Sequence, residues 1–187
     1  INPSGKTKYF TEEMMADVYN ADNSNNFIIL RYFNPVGAHD SYLIGEDTEK
    51  PANLMPLIAK AATGKLSKLK VFGNDYNTAD GTGVRDYIHV VDLAVGHVKA
   101  LEKINDKNGF FDTYNLGTGV GYSVLQLIDT FNEICGGKVK YEFAPKREGD
   151  APTSYASSAK AEKELGWKAE RSLKEMCESS YQFELRN

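Results

Sequence analysis

The spacing of apolar residues changes between the first two segments of the chain. Phe10, Met14 and Val18 recur every four residues with acidic residues between them, which predicts an amphipathic helix from about residue 5 to residue 20. Residues 27–33 then form an almost unbroken apolar and aromatic run, which predicts a buried strand of the kind found in parallel sheets. A helix followed directly by such a strand indicates an α/β fold.

The rest of the chain continues the alternation of short helices and strands. The turn residues Asn34, Pro35 and Gly37 are expected to end the first strand. Ser-x-x-Gln at Ser123 and Ser-x-x-Glu at Ser172 predict helix starts closed by capping boxes. The remaining pattern predicts helices at 54–63, 92–103, 124–135, 159–165 and after 172, strands at 69–72, 86–90, 113–116 and 141–144, and loops at 36–53 and 73–83.

Composition and charge narrow the classes of partner. The 187 residues include 22 basic and 26 acidic side chains, a net charge of −4, which offers no basic surface to nucleic acid or an anionic membrane. No apolar run approaches the ~20 residues that span a bilayer. Cys135 and Cys177 lie in separate helical patterns and the histidines lack metal-ligand spacing, so we expect buried thiols in a cytoplasmic protein without a metal site. Ile1 already stands at the opening of a helix, so a fragment of a longer chain is expected.

A succession of short motifs covers almost the whole chain. The segments read Asn-Pro-Ser-Gly-Lys-Thr-Lys at 2–8, Arg-Tyr-Phe-Asn-Pro-Val-Gly-Ala-His at 31–39, Asn-Leu-Met-Pro at 53–56, Val-Phe-Gly-Asn-Asp-Tyr at 71–76, Gly-Thr-Gly-Val-Arg-Asp-Tyr-Ile-His at 81–89, Tyr-Asn-Leu-Gly-Thr-Gly at 114–119 and Arg-Glu-Gly-Asp at 147–150. In this order they resemble the motifs of UDP-galactose 4-epimerases, which belong to the extended short-chain dehydrogenase/reductase superfamily. The complete string looks more like these epimerases than like their sister families.

The resemblance implies a fold in two parts and a reaction. Residues 1–35 would be the C-terminal remnant of a Rossmann-type NAD-binding domain, and residues 36–187 a smaller α/β domain that holds the UDP-sugar. Such homodimeric enzymes of galactose metabolism oxidise the sugar at C4 with NAD, let the 4-keto sugar rotate, and return the hydride to its other face. We therefore expect a parent protein that interconverts UDP-glucose and UDP-galactose, with the half that binds most of the NAD missing from this chain.

Several residue types suit a UDP-sugar. Arg85 and Arg147, each near a glycine, can grip a diphosphate through forked, charge-assisted hydrogen bonds. Asp150 is an acceptor for the ribose diol, and Phe72 at a strand end offers the uracil an apolar contact. Donors to phosphate are expected at a helix start, from Asn53 and the backbone of Leu54. The resemblance adds Tyr32, Phe33, Asn34, Lys70, Val71 and Ser154 to the substrate site.

The catalytic pair departs from the family pattern. The resemblance assigns Lys8 to the nicotinamide ribose and to lowering the pKa of a tyrosine base four residues earlier, and it assigns a cofactor contact to Tyr32. This chain has Ser4 at the tyrosine position. A serine hydroxyl is a far weaker acid than a phenol, and its side chain is shorter. The chain as it stands is therefore expected to be inactive.

Position 154 bears on the range of substrates. In families resembling this one, that position faces the C2 substituent of the sugar. A tyrosine there fills the space, whereas a small residue leaves room for an N-acetyl group. Ser154 therefore predicts that UDP-GlcNAc and UDP-GalNAc are accepted as well.

Other interpretations stay open. A sister nucleotide-sugar decarboxylase or dehydratase shares several of the motifs, and a non-catalytic UDP-sugar-binding or interaction protein would explain Ser4. Arg85 and the following Asp86 could form a plain ion pair at a strand start. The Gly-x-Gly-x-Gly run at 117–121 superficially resembles a dinucleotide fingerprint, but no acidic residue ends a second strand at the right distance, so we do not expect a cofactor loop there.

Overall fold

Short helices and strands alternate through the described part of the chain. The computed structural model describes residues 3–46 and 51–187, so residue 2 of the first motif and residues 47–50 of the predicted loop 36–53 lie outside the described residues. The helices are α1 (Pro3–Ala21), α2 (Leu54–Ala62), α3 (Val90–Ile104), α4 (Val124–Cys135), α5 (Ala159–Leu165) and α6 (Leu173–Arg186). The strands are β1 (Asn26–Tyr32), β2 (Asn34–Val36), β3 (Leu69–Phe72), β4 (Val84–Arg85), β5 (Tyr87–His89), β6 (Phe110–Leu116), β7 (Tyr122–Ser123), β8 (Tyr141–Ala144) and β9 (Thr153–Ser154).

The predicted helices are confirmed to within about two residues at each end, and both predicted capping boxes are present. The Ser123 side chain accepts the N–H of Gln126, whose side chain in turn accepts the N–H of Ser123, so the first turn of α4 is closed by a full capping box. Ser172 and Glu175 make the same arrangement at α6. α4 ends at Gly136, whose φ of 74° is the left-handed conformation that glycine adopts without strain.

The strands around Pro35 differ from the prediction. Pro35 does not end a strand region but lies inside β2, opposite Ile88 of β5. A proline has no N–H to donate, and the strand tolerates it because, among the residues that the structure describes, β2 pairs with β5 alone and is therefore an edge strand. The predicted strand 86–90 is shorter in the structure, β5 at Tyr87–His89, because α3 already begins at Val90; β4 at Val84–Arg85 precedes it and was not predicted. The predicted domain boundary between residues 35 and 36 falls within β2 and stays a prediction.

Parallel pairing dominates the sheets. β1 pairs with β6, β2 with β5 and β3 with β8, all in parallel, whereas β4 lies between antiparallel β7 and parallel β9. Parallel strands joined through helices are the pattern of an α/β fold, so the predicted fold class, with its remnant of a Rossmann-type parallel sheet, is confirmed.

The apolar core forms two clusters. One lies between β3 and helices α2, α4 and α6, with Ile58, Phe131 and Met176 among its most buried members. The other joins Leu116 of β6 to Trp167, beside α3 and α5. Cys135 and Cys177 are free and buried, as expected.

The first two elements are less buried than the pattern suggested. No residue of α1 is buried, and Phe10, Met14 and Val18 are 59%, 66% and 49% exposed. In β1, which was expected to be buried, only Ile29 is. In the described residues, no helix is both long and apolar enough to cross a membrane.

Candidate nucleotide-sugar site

A cavity of about 250 Å3 opens where the ends of several elements meet. Its walls come from β2, the start of α2, β3, β4 and the segment 147–150. Most of the predicted substrate residues line it, namely Asn34, Asn53, Leu54, Lys70, Val71, Phe72, Arg85, Arg147 and Asp150. The other lining residues were not predicted as site residues, among them the polar side chains Glu46, Tyr76 and Tyr87. Residues from widely separated motifs therefore meet at one concave surface.

One wall combines an aromatic face with charge. The alternation of β3 buries Leu69 and Val71 and leaves Phe72 exposed at the strand end. The Arg147 guanidinium carbon lies 5.1 Å from the centroid of the Phe72 ring, and Arg147 Nε donates to Asp150 Oδ2 at 2.9 Å. A flat ring, a cation and a carboxylate side by side can contact a base, a phosphate and a diol.

Arg85 faces the same cavity from β4. It is partly buried, and its Nη1 donates to the carbonyl of Val84 at 2.8 Å. The ion pair with Asp86, one of the open interpretations, is not formed among the described residues, because the Asp86 carboxylate points away into other donors. Arg85 thus presents its charge to the cavity.

The glycine run at 117–121 is filled by a carboxylate of the chain itself. The N–H groups of Thr118 and Gly119 donate to Asp86 at 2.9 and 3.0 Å. Gly119 has a φ of 74°, which turns successive N–H groups toward one point. These donors, which a phosphate would need, are already paired, which gives a physical reason why this loop is not expected to bind a cofactor.

The start of α2 lies at another wall of the cavity. Asn53 precedes the helix with extended backbone and makes no side-chain cap; its Nδ2 donates instead to Glu46 Oε1 at 2.7 Å. The first N–H groups of α2, beginning at Leu54, therefore lack a side-chain partner from this cap. Such groups can donate to an anion.

Tyr87 is a phenol in the cavity wall with a raised pKa. Burial raises the pKa of Tyr87 to about 12, although the nearby Arg85 charge opposes the shift. The phenol therefore stays protonated near neutral pH. It can donate or accept a hydrogen bond, but it does not suit the role of a base.

The remaining predicted residues do not line the cavity. Ser4 and Lys8 lie one turn apart on exposed α1, where Lys8 Nζ donates to Ser4 Oγ at 3.2 Å. Tyr32 is 53% exposed, with its ring 6.1 Å from that of His97. Phe33 donates its N–H to the Leu116 carbonyl at 3.3 Å, and exposed Ser154 lies opposite Arg85 in the β4–β9 pairing.

Known proteins resemble this chain along its whole length. The sequence profile of the GDP-mannose 4,6 dehydratase family matches residues 1–180. The UDP-glucose 4-epimerase of Bacillus subtilis is 56% identical over 187 residues, covering 100% of this chain and 55% of that protein. The UDP-glucose 4-epimerase of Homo sapiens is 51% identical, covering 100% and 53%. The chain thus spans about half the length of the curated relatives it matches.

Solved structures give the same result. The crystal structure of UDP-glucose 4-epimerase from Bifidobacterium longum, in complex with NAD+ and UDP, has a TM-score of 0.94 at 53% identity and covers 100% of this chain and 55% of that chain. The UDP-Glc/GlcNAc 4-epimerase from Campylobacter jejuni has a TM-score of 0.78 at 34% identity, with 100% and 56% covered.

Proposed function

The chain belongs to the GDP-mannose 4,6 dehydratase family, and on that premise we propose that it forms the C-terminal, UDP-sugar-binding part of a UDP-glucose 4-epimerase. The observation that carries the proposal is the meeting of Arg85, Arg147, Asp150 and Phe72 at one cavity, although they come from three separate motifs. The dehydratase name of the family leaves the chemistry broad, whereas the most similar relatives named above are epimerases.

Each cavity residue has a proposed role in holding the nucleotide. The uracil lies against Phe72 and the backbone of Lys70 and Val71, and Asp150 accepts from the ribose hydroxyls. Arg85 and Arg147 bind the diphosphate from two sides. Asn34, Asn53 and the first N–H of α2 at Leu54 donate to the phosphates and the sugar. Tyr32 and Phe33 complete the sugar end.

The cofactor of this reaction is proposed to be NAD, which supplies a hydride acceptor at C4 of the sugar. The described residues are proposed to contact only its nicotinamide end, through Lys8 on α1 and Tyr32 at the end of β1, because the donors of the glycine run at 117–121 are already paired with Asp86. We propose that Lys8 holds the nicotinamide ribose and that most cofactor contacts come from a Rossmann portion of the kind that fills the rest of the relatives' length.

Proton transfer is the step that this chain lacks. In the proposed reaction a base removes the proton of the sugar 4-hydroxyl as the hydride leaves. Ser4 occupies the position of that base, and its hydroxyl accepts a hydrogen bond from Lys8 at 3.2 Å. A serine hydroxyl is a poor base near neutral pH, so we propose that the protein with Ser4 binds UDP-sugars but turns them over slowly or not at all. A non-catalytic UDP-sugar-binding protein is the second candidate, favoured by the same residue.

Three finer proposals complete the assignment. Small Ser154 leaves room for N-acetylated UDP-sugars, and one relative is named a UDP-Glc/GlcNAc 4-epimerase. The complete protein is proposed to be a homodimer, which would cover apolar residues that α1 exposes. Two free, buried thiols suit the reducing cytoplasm.

Calorimetric titration tests the central assignment. UDP, UDP-glucose and GDP-mannose are titrated into the complete gene product that contains this chain, and epimerase activity is assayed on the same preparation with added NAD. We expect binding of both uridine nucleotides, weaker binding of GDP-mannose, and little activity. A protein that binds none of the uridine nucleotides, or prefers GDP-mannose, contradicts the assignment.

A further inference from the structure

Asp86 is a buried carboxylate without a basic partner among the described residues. Its side chain is fully buried and accepts four hydrogen bonds. Oδ1 accepts from the N–H and the hydroxyl of Thr118, at 2.9 and 2.7 Å. Oδ2 accepts from the N–H of Gly119 and the N–H of Ala156, both at 3.0 Å. Charge-assisted bonds of this kind offset the desolvation of the carboxylate, so its position is tightly fixed.

The two carboxylate oxygens serve different parts of the fold. Oδ1 binds only the glycine loop, through Thr118. Oδ2 is shared between that loop and Ala156, which lies two residues after β9. The backbone adds to the second connection, because the Asp86 N–H donates to the Ser154 carbonyl at 3.0 Å. Asp86 therefore holds the chain on both sides of Tyr155.

The segment held in this way leads back to the cavity. Residues 147–150 precede β9 by only a few residues, and the Val84 N–H donates to the Pro152 carbonyl at 2.8 Å between them. Arg85 is the residue before Asp86 and faces the cavity, while Asp86 points to the opposite side of the strand. The position of Arg147 relative to Arg85 thus depends on how β9 packs on β4.

We propose that Asp86 is a positioning residue that sets the separation between Arg85 and Arg147 across the cavity. This inference rests on the proposed function, in which both arginines bind one diphosphate. A diphosphate has a fixed span, so a shift of β9 would misplace one arginine and weaken the binding of the charged part of the ligand. The contact of the base would suffer less, because Phe72 lies on β3.

Substitutions at two neighbouring positions test the contacts of the two Asp86 carboxylate oxygens separately. A Cβ at Gly117 would lie 2.6 Å from Asp86 Oδ2 and 2.5 Å from the Cβ of Ala156, so Gly117→Ala strains the connection to β9. Thr118→Val removes the hydroxyl that donates to Oδ1 at 2.7 Å and leaves the connection to Ala156 in place. Both variants disturb the same buried carboxylate, but only the first acts on the segment that leads to Arg147.

The test measures UDP and uridine binding by calorimetry on the complete gene product, with melting temperatures for each variant. Gly117→Ala is expected to raise the Kd for UDP on the order of tenfold and the Kd for uridine by a clearly smaller factor, because uridine shares the Asp150 contact but lacks the phosphates that both arginines bind. Thr118→Val is expected to lower the melting temperature while both Kd values stay within about twofold.

A purely structural role would weaken UDP and uridine binding by the same factor, and that result would overturn the inference. Equal effects of Gly117→Ala and Thr118→Val on UDP affinity would do so too. Asp86→Ala removes the acceptor of Ala156 without adding a contact; it keeps the test decisive if Gly117→Ala does not fold, and it is expected to show the same selective loss for UDP. Wild-type protein that binds no UDP overturns the proposed function itself, whereas normal UDP binding by folded Gly117→Ala overturns this inference alone.

Discussion

The guanidinium carbon of Arg147 lies 5.1 Å from the centroid of the Phe72 ring. The same side chain donates to Asp150 Oδ2 at 2.9 Å, so one aromatic face and one carboxylate fix the cation before a ligand is present. A preorganised cation loses little freedom when it binds a phosphate. The Phe72–Arg147 pair therefore gives one wall of the cavity a preorganised cation.

Replacing Arg147 should weaken UDP binding. Arg147→Ala removes a charge-assisted contact to phosphate and is expected to reduce the binding free energy by about 1.5–3 kcal/mol in calorimetric titrations of the complete gene product. Lys68→Ala is the matched control. Lys68 is also a surface cation near β3, but it pairs with Glu142 of β8. Unchanged UDP affinity in Arg147→Ala would remove this arginine from the site.

Restoring the phenol on α1 should restore turnover. Ser4 lies one turn before Lys8, whose Nζ is 3.2 Å from the serine hydroxyl. Ser4→Tyr in the complete gene product is expected to raise the epimerisation rate by about 10²–10⁴, the usual contribution of a positioned base. Thr11→Tyr, which adds a tyrosine elsewhere on the same exposed helix, should leave the rate unchanged. Equal turnover by the wild-type protein and the Ser4→Tyr variant would mean that another group is the base.

Substrate range should respond to position 154. Ser154 is exposed and lies opposite Arg85 in the β4–β9 pairing. Ser154→Tyr, made together with Ser4→Tyr, is expected to block UDP-GlcNAc sterically and to spare UDP-galactose, as measured by kcat/KM for each. Thr153→Tyr places the same bulk on the opposite side of the strand and serves as the control. The hypothesis is wrong if the Ser154 protein already ignores UDP-GlcNAc at concentrations that saturate UDP-glucose.

His89 should make stability fall in mild acid. Its Nδ1 accepts the N–H of Val91 at the start of α3, so the neutral ring carries its proton on Nε2, which lies 3.1 Å from Ser179 Oγ. Burial, reinforced by the charge of Arg171, lowers the pKa of His89. A second proton would have to enter at Nδ1, where it would oppose the Val91 N–H.

The sign of this effect follows from linkage. The folded pKa of His89 lies below the unfolded value of about 6.5, so the unfolded chain binds the proton first as the pH falls. Unfolding free energy, measured with urea, is expected to decrease below about pH 6.5 by at most about 1.4 kcal/mol per unit. His89→Gln should flatten this slope, whereas His97→Gln, at an exposed position of α3, should not. A slope that persists in His89→Gln would assign it to other groups.

The chain expressed by itself should associate. Phe10, Met14 and Val18 form an exposed apolar row on α1, and exposed rows of this kind drive self-association. Sedimentation velocity is expected to show dimers or larger species, reduced by Met14→Lys. Leu43→Lys changes an equally exposed apolar residue outside α1 and should have little effect. A monomer with a cooperative melt contradicts this expectation.

The helices were predictable because their signals are local in the sequence. Four-residue periodicity and the capping boxes at Ser123 and Ser172 determine helices within a single turn of chain. β2, β4, β7 and β9 were missed because strands of two or three residues carry no periodicity of their own. Their conformation depends on the partner strand, and for β2 the proline at position 35 even argued against a strand.

The lining of the cavity was predictable where a side chain has a distinctive chemistry. Arg85 and Arg147 could be chosen for their charge, whereas the cavity residue Tyr87 looked like any core aromatic. The available signal for Tyr87 was that it lies two residues after Arg85 in an extended segment, because residues at this spacing lie on the same face of a strand. The role of Asp86 was not predictable, because its donors come from positions 32 to 70 residues later in the chain.

The exposure of helix α1 affects its local stability. In the described part of the chain this helix has no buried residue, and its contacts to the rest of the fold include the ion pair of Glu12 with Arg31 and the rings of Tyr19 and Phe111, 5.4 Å apart. The free energy of opening such an element lies far below that of global unfolding, so its amide protons exchange with solvent early. Lys8 is carried on this element, and its precise placement therefore depends on whatever packs over α1.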